Sequence, residues 1–82
     1  LNTHDPFTAY KYLEPIRNKT VNTARTYQLV TFYLGVELFN QNKIEESMDY
    51  FQKSLDFEFD KETYYMTNFY MGECLMAQES YE

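Results

Sequence analysis

The residues best suited to chemistry in this sequence are carboxylates crowded into one short stretch. The segment DFEFDKE at 56–62 carries acidic side chains at alternate positions, namely Asp56, Glu58, Asp60 and Glu62. A calcium loop of the EF-hand type needs a turn glycine at its sixth position and a bidentate glutamate at its twelfth. Those two positions hold Lys61 and Thr67. We therefore predict a solvated loop, with Phe57 and Phe59 turned inward and Asp60 capping the next helix.

The other candidates for catalysis lack partners in the sequence. An acid–base pair must face one pocket across a substrate, and no second element supplies that pocket. The one cysteine is Cys74, and the one histidine, His4, lies far from it near the N-terminus. A reactive thiolate needs a base or positive surroundings, so a buried inert thiol is the favoured interpretation of Cys74. Because zinc-ligand spacings and a glycine-rich phosphate loop are also missing, we predict no enzyme, no metal and no cofactor.

The composition restricts both the fold and the partners. The chain of 82 residues is at most one small domain, and its two glycines and two prolines favour helices over a sheet with many turns. A formal charge of −6 opposes binding to nucleic acid and to anionic membrane. No apolar run approaches the roughly 20 residues that span a bilayer. We expect a soluble protein of the cytoplasm or of a bacterial periplasm.

The sequence repeats itself at a spacing of 37 residues. YLGVEL at 33–38 and YMGECL at 70–75 hold the only two glycines, Gly35 and Gly72, in the same place. When 26–45 is aligned with 63–82, eight of twenty positions are identical. The identical pairs are Thr26/Thr63, Tyr27/Tyr64, Phe32/Phe69, Tyr33/Tyr70, Gly35/Gly72, Leu38/Leu75, Gln41/Gln78 and Glu45/Glu82. Such a match without a gap indicates an internal duplication.

Apolar spacing predicts helices in and between the two copies. The first copy, capped by Thr23, has two apolar stripes: Tyr27, Val30, Leu34 and Leu38, and Leu29, Phe32, Val36 and Phe39. The second copy, capped by Asp60, repeats them as Tyr64, Met71 and Leu75, and as Met66, Phe69 and Met76. A helix with two apolar faces is packed on two sides. The helix between the copies has a single apolar face: Ile44, Met48, Phe51 and Leu55.

Each glycine lies inside one of these predicted helices. A glycine there costs about 1 kcal/mol relative to alanine, and it is tolerated where another backbone must come close. We predict that Gly35 and Gly72 each face the partner helix of a helical hairpin.

The hairpin unit resembles the tetratricopeptide repeat (TPR) family, whose pattern includes L-G-x2-Y followed by A-x3-F. The residues that carry the resemblance are Leu34, Gly35, Leu38, Ser47 and Phe51 in the first unit, and Met71, Gly72 and Leu75 in the second. Thr31 and Asn68 occupy the place of the family's tryptophan, and Phe59 stands where proline often ends a unit. FYLGVELFNQNKIEESMDYFQKSL is also similar to repeats in long TPR proteins of the bacterial cell envelope.

The resemblance implies an all-α fold of antiparallel helix-turn-helix repeats stacked as a right-handed α-solenoid. It divides the chain, 1–82, into a preceding or capping helix at 6–17, a complete repeat at 23–57 and a partial repeat at 60–82. We expect Asp5 to cap the first helix, Pro6 to begin it and Pro15 to end or kink it. Because the partial repeat lacks a second helix, we expect a segment of a longer solenoid or an open face covered in an oligomer.

The resemblance also implies a function. The first helix of each TPR unit lines a concave groove, and the residues placed there are Phe32, Val36, Phe39, Asn40, Phe69, Glu73, Met76 and Ala77. Core packing is the equal alternative for Phe32 and Phe69. We predict a non-catalytic scaffold that binds a protein or peptide through this apolar groove. The alternatives are a structural segment that associates with itself or with the rest of a longer solenoid, and the sensory module of a bacterial regulator.

Overall fold

Four α-helices form the part of the protein that the computed structural model describes, residues 5–79. They are α1 (Pro6–Leu13), α2 (Val21–Asn40), α3 (Ile44–Leu55) and α4 (Lys61–Glu79). The residues between 5 and 79 include no strand, so the predicted all-helical fold is confirmed. His4 and the last three positions of the predicted partial repeat, 80–82, lie outside the described residues.

The first helix begins as predicted and ends early. Asp5 is its N-cap and accepts a hydrogen bond from the Phe7 N–H at 3.1 Å, with Pro6 at the first helical position. The helix stops at Leu13 and does not extend to 17. Pro15 explains this end, because it has no N–H to donate to the carbonyl four positions back, so the last helical hydrogen bond is the one from the Glu14 N–H to the Tyr10 carbonyl.

The sequence predicted the N-terminal cap of α4 correctly but placed the cap of α2 at the wrong residue. Thr20, and not Thr23, caps α2, and the Thr23 N–H donates to the Thr20 Oγ1 at 3.2 Å. The helix therefore begins at Val21 and not after Thr23. The capping oxygen must precede the first turn to reach its unpaired N–H groups, and Thr23 lies inside that turn. Asp60 is confirmed as a capping residue, because its carboxylate accepts from the Thr63 N–H at 3.0 Å.

The helices pack in chain order. α3 runs antiparallel to α2, since Ser47 meets Gly35 while Ser54 meets Gln28. A first apolar cluster joins α1 to α2 through Leu13, Tyr27, Val30 and Leu34. A second, which we name the three-helix cluster, joins α2, α3 and α4 through Phe32, Ile44, Phe51 and Cys74. The long helix α2 is therefore buried on more than one side, as its two apolar stripes predicted.

The two glycines have different surroundings. A Cβ at Gly35 would overlap the Phe51 ring, whose Cζ atom would lie only 2.9 Å away. The predicted close approach of a partner helix is confirmed there. At Gly72, apart from its chain neighbours and the nearby backbone of α4 itself, no atom of the described chain lies within 4 Å of the same position, so that prediction is wrong for this structure. The reason is that no described helix stands to α4 as α3 stands to α2.

Candidate functional site

The predicted groove residues lie on neighbouring faces of α2 and α4, but Phe32 is a core residue. Its side chain is 9% exposed and belongs to the three-helix cluster. The ring centroid lies 6.1 Å from that of Phe51 and 5.9 Å from that of Tyr70. Between the two roles that the sequence left open for Phe32, the structure places it in the packed core.

Three further groove residues line the edge of the same cluster. Val36, Phe39 and Ala77 are half-buried and pack against it. The Phe39 ring meets the Tyr70 ring edge-on, with centroids 5.5 Å apart, which joins the C-terminal half of α2 to α4. Asn40, at the end of α2, is exposed. The structure thus brings Phe32 and Phe39 of α2 together at the Tyr70 ring of α4.

The α4 members supply the accessible apolar surface. Phe69 is 61% exposed and Met76 is 64% exposed. Glu73, which lies between them in the sequence, is half-buried. Phe69 also contacts Tyr70, with a centroid separation of 5.8 Å. Large apolar side chains that remain this open are available to another molecule.

Tyr70 is the residue that the sequence-based site omitted. Its ring contacts four others across three helices: Phe32, Phe39, Phe51 and Phe69. The signal that could have found it was the identical pair Tyr33/Tyr70. Tyr33 is more than half exposed and its ring lies 5.6 Å from that of Phe32. A chain of ring contacts therefore runs from the exposed Tyr33 through the buried Phe32 and the half-buried Tyr70 to the exposed Phe69.

Cys74 is fully buried in the three-helix cluster. Its Sγ lies 3.8 Å from the Ser47 Oγ, and burial raises the pKa of the thiol. The thiol is therefore kept protonated at neutral pH, which is the inert form.

The acidic stretch 56–62 behaves as a loop and a helix cap. Hydrogen bonds from the Thr63 hydroxyl and N–H lower the pKa of Asp60. Phe57 packs against the α1–α2 cluster, but Phe59 is 44% exposed, so the prediction that Phe59 turns inward is wrong. Its ring stacks on that of Phe57 instead, with centroids 6.3 Å apart. Between 5 and 79 no group of three or more His, Cys, Asp or Glu side chains could hold a metal ion.

A surface depression lies between α1 and α3. It has a volume of about 540 Å³ and is lined by Tyr10, Glu46, Asp49, Tyr50, Gln52, Lys53 and Asp56. None of the predicted groove residues is among them. Its lining is mostly charged or polar, and Lys53 balances part of its negative charge.

Two further findings concern membranes and known proteins. In the described range, no helix has the length and apolarity needed to cross a bilayer. Comparisons with protein-family models, with curated proteins and with solved structures gave no match.

Proposed function

We propose that this chain is a non-catalytic protein-interaction scaffold, built of TPR-like hairpins stacked as a right-handed α-solenoid. The observation that carries the proposal is the exposure of Phe69 and Met76 on α4, the helix whose Tyr70 ring packs against the buried ring of Phe32. Apolar side chains that are open to solvent next to a rigid aromatic core are where binding energy concentrates. The partner is a protein or peptide segment that lies along the concave side formed by α2 and α4.

The packing order supports the repeat architecture. α3 returns antiparallel along α2 and then packs against α4, with the Phe51 and Tyr70 rings stacked at 5.5 Å. α4 carries the same sequence pattern as α2, including Tyr70 for Tyr33 and Phe69 for Phe32. A unit that repeats in sequence and adds to the previous unit through one face is the basis of a solenoid.

The charge of the chain indicates which segments fit. Seven basic residues face thirteen acidic ones, and Glu73 lies on the proposed groove. An apolar surface with an acidic surrounding favours a segment that combines apolar anchors with Lys or Arg, because complementary charge steers association.

Selection of binders from a random peptide library tests this proposal. Peptides are selected on the full chain by phage display, and their affinities are measured again on two variants. Phe69→Ser should weaken the selected peptides at least tenfold. Tyr12→Ser, which changes a 67% exposed aromatic residue on α1, should leave the affinities unchanged. Glu73→Lys should weaken the basic peptides more than the neutral ones.

The alternative function is self-association through the same exposed apolar residues. If no peptide is selected, or if the selected peptides bind Phe69→Ser as tightly as the unmodified chain, the groove proposal fails. Sedimentation then decides the alternative, because a monomer independent of concentration would exclude self-association.

A further inference from the structure

A cleft runs between α1 and the hairpin of α2 and α3. Its first part is the depression of about 540 Å³ that lies between α1 and α3. Its second part is a depression of about 300 Å³, and the two parts adjoin because Glu46 and Tyr50 line both of them. We name the two parts together the Tyr50 cleft. The residues that only the second part contributes are Phe7, Leu34, Glu37, Leu38 and Gln41.

The second part of the Tyr50 cleft offers apolar contacts. Leu34 and Leu38 line it from α2, and Phe7 lines it from α1. Phe7 is 46% exposed, so part of its ring is open to another molecule. The Lys11 Nζ lies 4.9 Å from the centroid of the Phe7 ring, so a cation of the protein itself is already near this end. An apolar group is therefore favoured over a second cation beside Phe7.

The first part of the cleft combines aromatic rings with negative charge. The Tyr10 and Tyr50 rings meet edge-on, with centroids 5.1 Å apart. The pKa of Tyr50 is raised first by burial and then by nearby carboxylates. A guanidinium group suits such a place, because it can stack on a ring while it donates hydrogen bonds to a carboxylate. Three carboxylates and one ammonium group line this part: Glu46, Asp49, Asp56 and Lys53.

The distance between the two parts matches the spacing of side chains in an extended peptide. The ring of Phe7, in the second part, and the ring of Tyr10, in the first, have centroids 6.3 Å apart. In an extended chain, side chains two positions apart point to the same side and are separated by about 7 Å. One extended segment can therefore place an apolar side chain beside Phe7 and a basic side chain beside Tyr10.

We propose that the Tyr50 cleft binds an extended segment of another polypeptide, with an arginine two positions from a leucine or another large apolar residue. The apolar side chain lies against Phe7 and Leu38, and the guanidinium lies against Tyr50. A second copy of this chain is disfavoured as the occupant, because two chains that each carry a charge of −6 repel one another. The cleft shares no residue with the proposed groove, so it is a second binding surface.

Two short synthetic peptides with blocked ends are the probes, and they differ in the order of their anchors. One reads Gly-Ser-Gly-Leu-Ser-Arg-Ser-Gly, and the other exchanges the leucine and the arginine. Each is added to the isotope-labelled chain, and the backbone amide signals are followed by NMR. We expect at least one peptide to shift the signals of Tyr10 and Tyr50 saturably, with a dissociation constant below ~1 mM. Moving its arginine next to the leucine should weaken binding about fivefold or more, because neighbouring side chains of an extended chain point to opposite sides.

Two neighbouring glutamates provide a matched pair of protein variants. Glu46→Lys reverses a charge in the cleft and should weaken the peptide at least tenfold. Glu45→Lys makes the same change at an exposed residue that does not line the cleft, and it should alter the affinity less than threefold. Both residues lie in the first turn of α3, so the two variants have the same net charge and a similar effect on the helix.

A third variant separates the cleft from the proposed groove. Phe69→Ser removes the exposed ring of the groove and should leave the affinity of these peptides unchanged. A failure of the cleft and a failure of the groove are therefore distinguishable.

Three results would overturn the proposal. The first is no saturable shift with either peptide up to ~1 mM, the weak end of specific association. The second is equal weakening by Glu46→Lys and Glu45→Lys, which would mean that the peptides respond only to the net charge of the chain. The third is loss of binding in Phe69→Ser, which would place the peptides in the groove.

Discussion

α2 and α4 carry the same pattern and differ in what covers it. Three of the identical pairs show the contrast: Phe32/Phe69, Gly35/Gly72 and Leu38/Leu75. Every α2 member is buried or half-buried, whereas Phe69, Gly72 and Leu75 are exposed. The comparison teaches that a repeated pattern specifies what a residue can pack against. Whether it is buried depends on the next helix.

The buried side of α4 is made of other residues. Thr63, Thr67 and Cys74 are its buried positions, and they lie on the side opposite Gly72. The Thr67 hydroxyl donates to the Thr63 carbonyl at 2.6 Å, so its polar atom is satisfied within the helix. Small side chains allow α4 to come close to α2 and α3, while Tyr65, Phe69, Leu75 and Met76 remain more than half exposed.

The largest expected difference in stability is between the variants Phe32→Ala and Phe69→Ala. Removing the buried Phe32 ring leaves a cavity beside Phe51 and Tyr70, which costs about 3–5 kcal/mol of unfolding free energy. Removing the Phe69 ring, which is mostly in water, should change stability by about 0.5 kcal/mol or less. Urea denaturation of both variants measures the difference. Equal losses would mean that α4 is covered on both sides in solution.

The next comparison concerns Gln28 and its counterpart Tyr65. The Gln28 side chain is fully buried, and it donates to the Asp60 carbonyl at 2.9 Å and accepts from the Asp60 N–H at 3.0 Å. Gln28→Met keeps the volume and leaves the Asp60 N–H unpaired, while the Asp60 carbonyl still accepts the Tyr64 N–H, so we expect a loss of about 1–3 kcal/mol. Tyr65→Met should be nearly neutral. Thermal unfolding of the two variants tests this, and a neutral Gln28→Met would show that water replaces the amide.

The glycine pair should respond with opposite signs. At Gly35 an added methyl group meets the Phe51 ring, and overpacking of about 1–3 kcal/mol exceeds the gain of about 1 kcal/mol in helix propensity. At Gly72 only the gain remains, so Gly72→Ala should raise the unfolding free energy by up to about 1 kcal/mol. Urea denaturation of both single variants is the measurement. A destabilised Gly72→Ala would indicate a helix that already lies on this face.

Part of this contrast was predictable from the sequence. Helical spacing, the single apolar face of α3 and the cap at Asp60 all depend on neighbours within a few positions. The cap at Thr20 and the end of α1 are also local, but competing signals at Thr23 and beyond Pro15 obscured them. The missing second helix of the partial repeat indicated an open face. That Phe69 and Gly72 are among its residues was not predictable, because this depends on how α4 packs on α2 and α3. The role of Tyr70 required knowing that rings from α2, α3 and α4 meet.

The smallest expected effect is on how stability changes at high pH, where Tyr27 and Tyr64 should differ. Burial, and then the hydrogen bond to Glu14, raise the pKa of Tyr27 above its ordinary value, and burial raises the pKa of the neighbouring Tyr10 to about 12. The folded state thus holds these protons more tightly than the unfolded chain. This stabilisation is complete below the tyrosine pKa of the unfolded chain, about 10. It is lost as the pH rises toward the higher pKa of the folded protein.

Tyr27→Phe should therefore flatten the fall in stability between about pH 9 and about pH 11, beyond a constant loss of about 1 kcal/mol for the hydrogen bond with Glu14. One proton changes the slope by at most about 1.4 kcal/mol per pH unit, and solvent screening reduces this. Urea denaturation at the two pH values gives the slope, and Tyr64→Phe at the matched place in α4 is the control. If both variants flatten the slope equally, the alkaline sensitivity does not arise in the α1–α2 cluster, and the two helices do not differ in this respect.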